Sequence, residues 1–183
     1  MMNANFTAVS SDPKSTAIRS IHTMARGSRA DFDEVIAEDG FTRERRAAPP
    51  AAKGNGPAAF YELARWLRAA FEGLSYEIHH AVTDGDLVTV NSTMRGRHTG
   101  AIVFHTADGR VDTVFPATGK PFAITQSHWF RIDNGKIAEH WANRDDLGMA
   151  QQLGWVPPNP VYLIRMACAK RHARHQLRRM ARP

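Results

Sequence analysis

SYEIHHAVTDGDLVTVNSTMRG, residues 75–96, holds two runs rich in β-branched residues on either side of Asp84-Gly85. An Asp-Gly pair between such runs is a strong hairpin signal, because glycine supplies the positive φ that a tight turn demands. The hairpin also marks where the periodicity of the chain changes. Upstream, apolar residues recur at helical spacing. Asp12-Pro13 reads as a helix start, a capping side chain followed by proline in the first turn. Ile18, Ile21, His22 and Ala25 follow at helical spacing, and Gly27 reads as the stop. A second short helix is expected from about Ala30, with Phe32, Val35 and Ile36 on one side. The Pro- and Gly-rich stretch RERRAAPPAAKGNGPAA, residues 43–59, reads as a loop. Phe60, Leu63, Ala64, Leu67 and Phe71 then define an amphipathic helix over 57–71.

Downstream of the hairpin, strands are expected at 111–115, 122–132 and 136–142, the last two joined by a turn at Asp133-Asn134-Gly135. Helices first and antiparallel strands afterwards make the class α+β. The expected organisation is a flexible N-terminus over 1–12, one domain over 13–158 and a basic helical tail over 159–183.

With 183 residues the chain can bury one sizeable core, and 43% hydrophobic with 23% charged residues fits a soluble globular protein. No apolar run approaches the roughly 20 residues that span a bilayer, and the start lacks the pattern of a secretory signal. A cytoplasmic location is the expectation. The lone Cys168 excludes an internal disulfide and a cysteine-based metal site. The net charge of +6 is unevenly spread: residues 160–183 hold seven Lys/Arg and no acid, leaving seventeen Lys/Arg against eighteen Asp/Glu elsewhere. The body is near neutral and the tail is basic.

Strand parity nominates a pocket face. Over 88–98 one side collects Val88, Val90, Ser92, Met94, Gly96 and His98. Over 122–131 one side collects Phe122, Ile124, Gln126, His128 and Phe130. An apolar face that turns polar at a few positions suits a sheet lining a ligand pocket, though Gln126 and His128 equally suit hydrogen-bonded core or interface positions. Asp145 and Asp146 stand where the last strand gives way to a helix. One can cap that helix, and a cap carboxylate is held charged. The other can face the pocket, where burial raises a carboxyl pKa toward that of a working acid/base. The assignment expected here gives the cap to Asp146 and the pocket to Asp145. The remaining histidines do not converge on a metal: His79 and His80 are strand neighbours, His140 should face away from Trp141, and arginines surround His172 and His175.

HTG at 98–100, ATGKPF at 117–122, RIDNGKIAEHW at 131–141 and DDLGMAQQLG at 145–154 resemble, in order and spacing, the SnoaL-like polyketide cyclases. The resemblance runs from about Ile18 to Pro157. It implies a nuclear-transport-factor-2-like cone, a curved antiparallel sheet wrapped around helices with an apolar pocket inside, assembled as a homodimer or homotetramer. It implies cofactor-free, metal-free intramolecular aldol ring closure of a small apolar or aromatic carbonyl compound, with Asp145 as acid/base. Gln126 and His128 match the family's pocket-lining pair, and Ser92, His98, Met94, Phe130 and Trp141 complete the expected pocket. Two departures stand out: Ser92 replaces the common aromatic, and the segment AIVFHTADGRVDTVF, residues 101–115, is longer than usual. The rival reading is a non-catalytic small-molecule binder or scaffold of the same fold. The tail lies outside the resemblance. Its stripe of Tyr162, Met166, Ala169 and Ala173 predicts a helix seated on a partner subunit, with nucleic acid or an anionic membrane as the alternative.

Overall fold

The computed structural model describes residues 12–180. The expected flexible N-terminus lies outside these residues except for Asp12, as do the last three residues of the tail. Helix α1 (Pro13–Arg26) begins as predicted: the Asp12 carboxylate accepts from the N–H groups of Lys14 and Ser15. Helix α2 (Arg29–Val35) opens with a capping box between Ser28 and Asp31. The chain then passes directly into strand β1 (Ile36–Thr42), which the sequence reading did not anticipate. Its acidic and glycine content gives little β signal, and its role is tertiary: it pairs in parallel with the last strand. Gly40 permits that approach, since a Cβ there would lie 2.6 Å from the Ile137 carbonyl oxygen.

Helix α3 (Gly56–Ala70) leads into β2 (Phe71–Asp84) and β3 (Leu87–His98), with Asp84 opposite Leu87 across a two-residue turn. A second unanticipated strand, β4 (Ile102–His105), pairs with β5 (Val111–Phe115) in a separate hairpin within the long 101–115 segment. Strands β6 (Pro121–Asp133) and β7 (Lys136–Arg144) turn through Asn134 and Gly135, both at positive φ. The main sheet runs β1-β7-β6-β3-β2. It is antiparallel apart from the β1–β7 pair, so the expected curved antiparallel sheet is a mixed one.

The inner face of this sheet meets the helices in two buried clusters. One joins Ala17 and Ile21 of α1, Phe32 of α2 and Phe60 and Ala64 of α3 to Val88, Val90, Phe130 and Ile137. The other gathers Phe71, Met94, Ile102, Phe122 and Ile124 beneath helix α4 (Asp146–Leu153), Trp155 and Tyr162.

Tyr162 belongs to helix α5 (Pro160–Met180), and this corrects the reading of the tail. The stripe predicted for a partner subunit lies on the chain's own body. Tyr162 is buried and donates its hydroxyl to the Pro116 carbonyl at 2.9 Å, Met166 packs on the same cluster, and Arg165 donates to the Ala117 carbonyl at 2.8 Å. The unanticipated β4–β5 hairpin supplies the missing surface, and Arg174 still reaches the Val111 carbonyl. No helix among the described residues is long and apolar enough to cross a membrane.

Candidate active site

Between the two clusters the sheet and the helices leave a cavity of about 430 Å³. Its sheet side is formed by Tyr76 of β2, Met94 of β3, Gln126, His128 and Phe130 of β6 and His140 of β7. Helices α1 and α3 supply the opposite wall, with Ile21, Met24, Phe60, Leu63, Trp66 and Leu67. Glu44, Arg144 and Asp146 also line it, grouped where the last strand ends.

The interior is polar at few atoms and carries no charge. Both amide atoms of Gln126 are buried without a hydrogen-bond partner, and so is Nε2 of His128. Nδ1 of His128 lies 2.9 Å from Nε2 of His140, and Nδ1 of His140 lies 3.0 Å from Oγ1 of Thr42. Burial pushes the His128 pKa down to about 3, with the nearby Arg144 cation contributing. Burial likewise holds His140 well below the ordinary histidine range, helped by His128 and Arg144. Burial pushes Tyr76 up to about 12, against the pull of Arg144 and Arg68. The neutral His128 imidazole, a neutral phenol and a free amide therefore offer hydrogen bonds to an uncharged, oxygen-bearing guest, while both ring nitrogens of His140 are already engaged.

Charge returns where β7 gives way to α4. Arg144 donates to Glu44 at 3.0 Å and lies 3.6 Å from the Asp146 carboxylate. Glu44 is fixed in turn by the Ala142 N–H at 3.0 Å.

Neither aspartate takes the part expected of it: Asp145 is the cap, and Asp146 stands at the cavity lining with its side chain 76% exposed. Asp145 is exposed, lies outside the cavity lining and caps α4, its carboxylate accepting the Gly148 N–H at 2.8 Å. A Cβ at position 148 would sit 2.1 Å from an Asp145 oxygen, so glycine makes room for the folded-over carboxylate. Asp146, the expected cap, lines the cavity instead. Strand parity is the cause. His140, Ala142 and Arg144 alternate inward opposite His128 and Gln126, and Asp145 falls on the outward beat.

The same parity corrects Trp141. Ile132 pairs with Ile137 and Phe130 with His140, so β7 spends one extra residue against β6 and bulges there. Counting by twos from buried Ile137 puts Trp141 inside; the bulge puts His140 inside and Trp141 outside. There Trp141 lies parallel to Trp129, ring centroids 6.0 Å apart, with the Arg43 guanidinium 4.0 Å from its ring. His140 is thus a site residue that alternation alone assigned to the wrong face. Thr42 was missed because its strand was missed.

Gln126, His128, Met94 and Phe130 line the cavity together. Ser92 and His98 share the inner face and are fully buried, but neither lines the cavity. His98 is walled in by Phe71 and Trp155, its Nδ1 is 3.2 Å from the Thr118 hydroxyl, and burial lowers its pKa to about 4. It belongs to the packed half of the molecule.

Known proteins share both the sequence and the architecture. The family model for SnoaL-like polyketide cyclase matches residues 16–153. Aklanonic acid methyl ester cyclase DnrD of Streptomyces peucetius is 31% identical over 156 residues, covering 80% of this chain and 96% of that one. Nogalonic acid methyl ester cyclase of Streptomyces nogalater is 34% identical over 100 residues, covering 54% of this chain and 67% of that one. Among solved structures, TsrD of Streptomyces laurentii superposes with a TM-score of 0.62 at 22% identity, covering 76% of this chain and 92% of that one, a likeness of fold. A helix-backed curved sheet around an apolar cavity, matched over three quarters of its length by one family's sequence pattern, makes this chain a member of the SnoaL-like polyketide cyclase family and a polyketide cyclase-like enzyme.

Proposed function

We propose that this chain closes a ring in the methyl ester of a polyketide acid by cofactor-free intramolecular aldol addition. The observation that carries the reading is the polarity of the cavity: apolar and uncharged inside, with unpartnered Gln126 and His128 atoms, and carboxylates only at the β7–α4 junction. The named substrates of the two cyclases above are methyl esters of this kind. The reaction is an isomerisation. A base removes a C–H proton flanked by carbonyls, the resulting enolate carbon bonds to a second carbonyl carbon, and that oxygen takes up a proton. Enclosure holds the two carbons together, and hydrogen-bond donors inside meet the oxygen on which charge grows.

The motif position of Asp145 supports it as the acid/base, reached when a bound substrate draws its carboxylate from the α4 cap. A second reading follows from the cavity lining and gives the proton transfers to Asp146. The purified protein is incubated with aklanonic acid methyl ester, and a ring-closed isomer of unchanged mass is followed by chromatography and mass spectrometry. Asp145→Asn is expected to lower turnover by roughly 10²- to 10⁴-fold, and Asp146→Asn by less than about tenfold. The reverse order assigns the chemistry to Asp146. Absence of the isomer with wild-type protein removes the proposal. Self-association through the outer sheet face, where Trp129 and Trp141 are half-buried, belongs to the same reading, and native mass measures it.

A further inference from the structure

Thr42, His140 and His128 form a line of side chains that ends inside the cavity, and its direction can be worked out from the atoms. A neutral imidazole carries one N–H and one lone pair, so each ring passes a hydrogen bond onward in a single sense. Thr42 Oγ1 accepts the Glu44 N–H at 3.4 Å, and among the described residues His140 Nδ1 at 3.0 Å is the only acceptor that its hydroxyl proton meets. The hydroxyl therefore donates to His140 Nδ1. The His140 proton then sits on Nε2 and is donated to His128 Nδ1, 2.9 Å away. That leaves the His128 proton on Nε2, the buried atom without a partner. The opposite sense would strand the threonine proton without an acceptor in a wall where Thr42 is only 4% exposed, and a buried unpaired hydroxyl is costly.

We propose that Thr42 and His140 are positioning residues that hold His128 as the Nε2–H tautomer, so that the cavity presents a hydrogen-bond donor to the substrate carbonyl oxygen that becomes the alkoxide. The inference rests on the ring-closure reading above for its substrate, not for its geometry. Both rings are neutral because burial and Arg144 disfavour their cations. The line ends at an alkyl hydroxyl, whose anion would be prohibitively costly in this apolar wall, so it cannot refill a proton given away by His128. His128 accordingly stabilises the growing negative charge, and the alkoxide takes its proton from the carboxylic acid at the β7–α4 junction. Sequence patterning concealed this device. Thr42 lies on a strand of weak β signal, and the β7 bulge turns His140 inward.

Nitrogen-15 correlation spectra of the imidazole rings read the tautomer directly in the wild-type protein. The expected result is a protonated Nε2 and an unprotonated Nδ1 on both His128 and His140. Thr42→Val keeps the shape and removes the donor; a mixture of tautomers at both rings is expected, with Thr42→Ser restoring the single form. With aklanonic acid methyl ester, Thr42→Val should lower kcat roughly tenfold while KM changes less than about threefold, because the interaction strengthens only as charge develops. Thr42→Ser should restore kcat. A wild-type His128 protonated on Nδ1 overturns the assignment, as does a Thr42→Val protein whose tautomers change while kcat does not. If the wild-type protein closes no ring yet carries the proton on Nε2, the tautomer lock stands and the substrate reading falls.

Discussion

The inner face of the sheet carries two buried histidines, one in each half of the molecule. His98, at the end of β3, is fully buried against Phe71, Trp155 and the Thr118 hydroxyl and does not line the cavity. His128, in the middle of β6, stacks against Phe130 on one side and His140 on another, and its ring forms part of the cavity wall. Burial holds both neutral, their pKa values lowered to about 4 and about 3. The difference lies in what stands opposite. Trp155 and Tyr162, brought over by α4 and α5, fill the half above His98, whereas the wall that α1 and α3 set opposite His128 leaves a gap. Facing inward is thus necessary for a place in the site and insufficient for it, because the opposing layer decides whether an inward residue is packing or site.

Four measurements can break or sharpen this contrast. The largest expected effect is on chemistry. His128→Phe should cut turnover of aklanonic acid methyl ester about a hundredfold. Its unfolding free energy should move by less than about 1 kcal/mol, since an unpaired nitrogen is removed while one on His140 is exposed. His98→Ala should do the opposite, costing about 3 kcal/mol of stability through the void it leaves, with turnover per folded molecule within about twofold of wild type. A His98 variant that folds well but fails to turn over would erase the distinction.

Removing α5 tests what fills the packed half. A chain ending at Asn159 should lose about 2 kcal/mol, the worth of burying one large side chain such as Tyr162. A chain ending at Ala173 should lose less than about 0.5 kcal/mol, because residues 174–180 are exposed. The same pair, run on DNA at rising salt, reads whether the basic end takes an anionic partner, for which retention must fall steeply with ionic strength.

The smallest effect is graded. His98 and His128 have folded pKa values below their unfolded value of 6.5, so the unfolded chain takes up protons that the fold refuses. Their contribution to stability is therefore fully present above about pH 6.5 and declines as pH falls toward their folded values, by up to about 1.4 kcal/mol per pH unit for each histidine. His128→Phe should flatten the fall of Tm between about pH 6 and pH 4. An unchanged slope would mean that His128 titrates normally in the fold.

Much of this was legible in the residues. Asp12-Pro13, the Asp84-Gly85 hairpin, Asn134-Gly135 and the alternation through Gln126 and His128 are local patterns, written within a few residues of each other and recovered with small shifts of boundary. The motifs after Ala117 carried the family. The errors have physical causes. Strand β1 has a weak pattern of its own and exists because a partner offers hydrogen bonds, while β4 is rich in strand formers but only four residues long. The inward turn of His140 depends on a one-residue bulge that alternation cannot announce, and the same outward beat that carries Trp141 away carries Asp145 to the helix cap.

What the sequence determined by itself is therefore the set of elements with strong local codes and the face that most inner residues share, because turn chemistry and side-chain alternation act over a few residues. The tertiary structure alone decided which inward residues border empty space, which aspartate lines the cavity, and which side chains join into one hydrogen-bonded line. Thr42 and His140 are 98 residues apart and meet only because an unpredicted edge strand lies in parallel beside β7. Contacts of that kind depend on the register and spacing of whole elements, and no local pattern in the sequence encodes them.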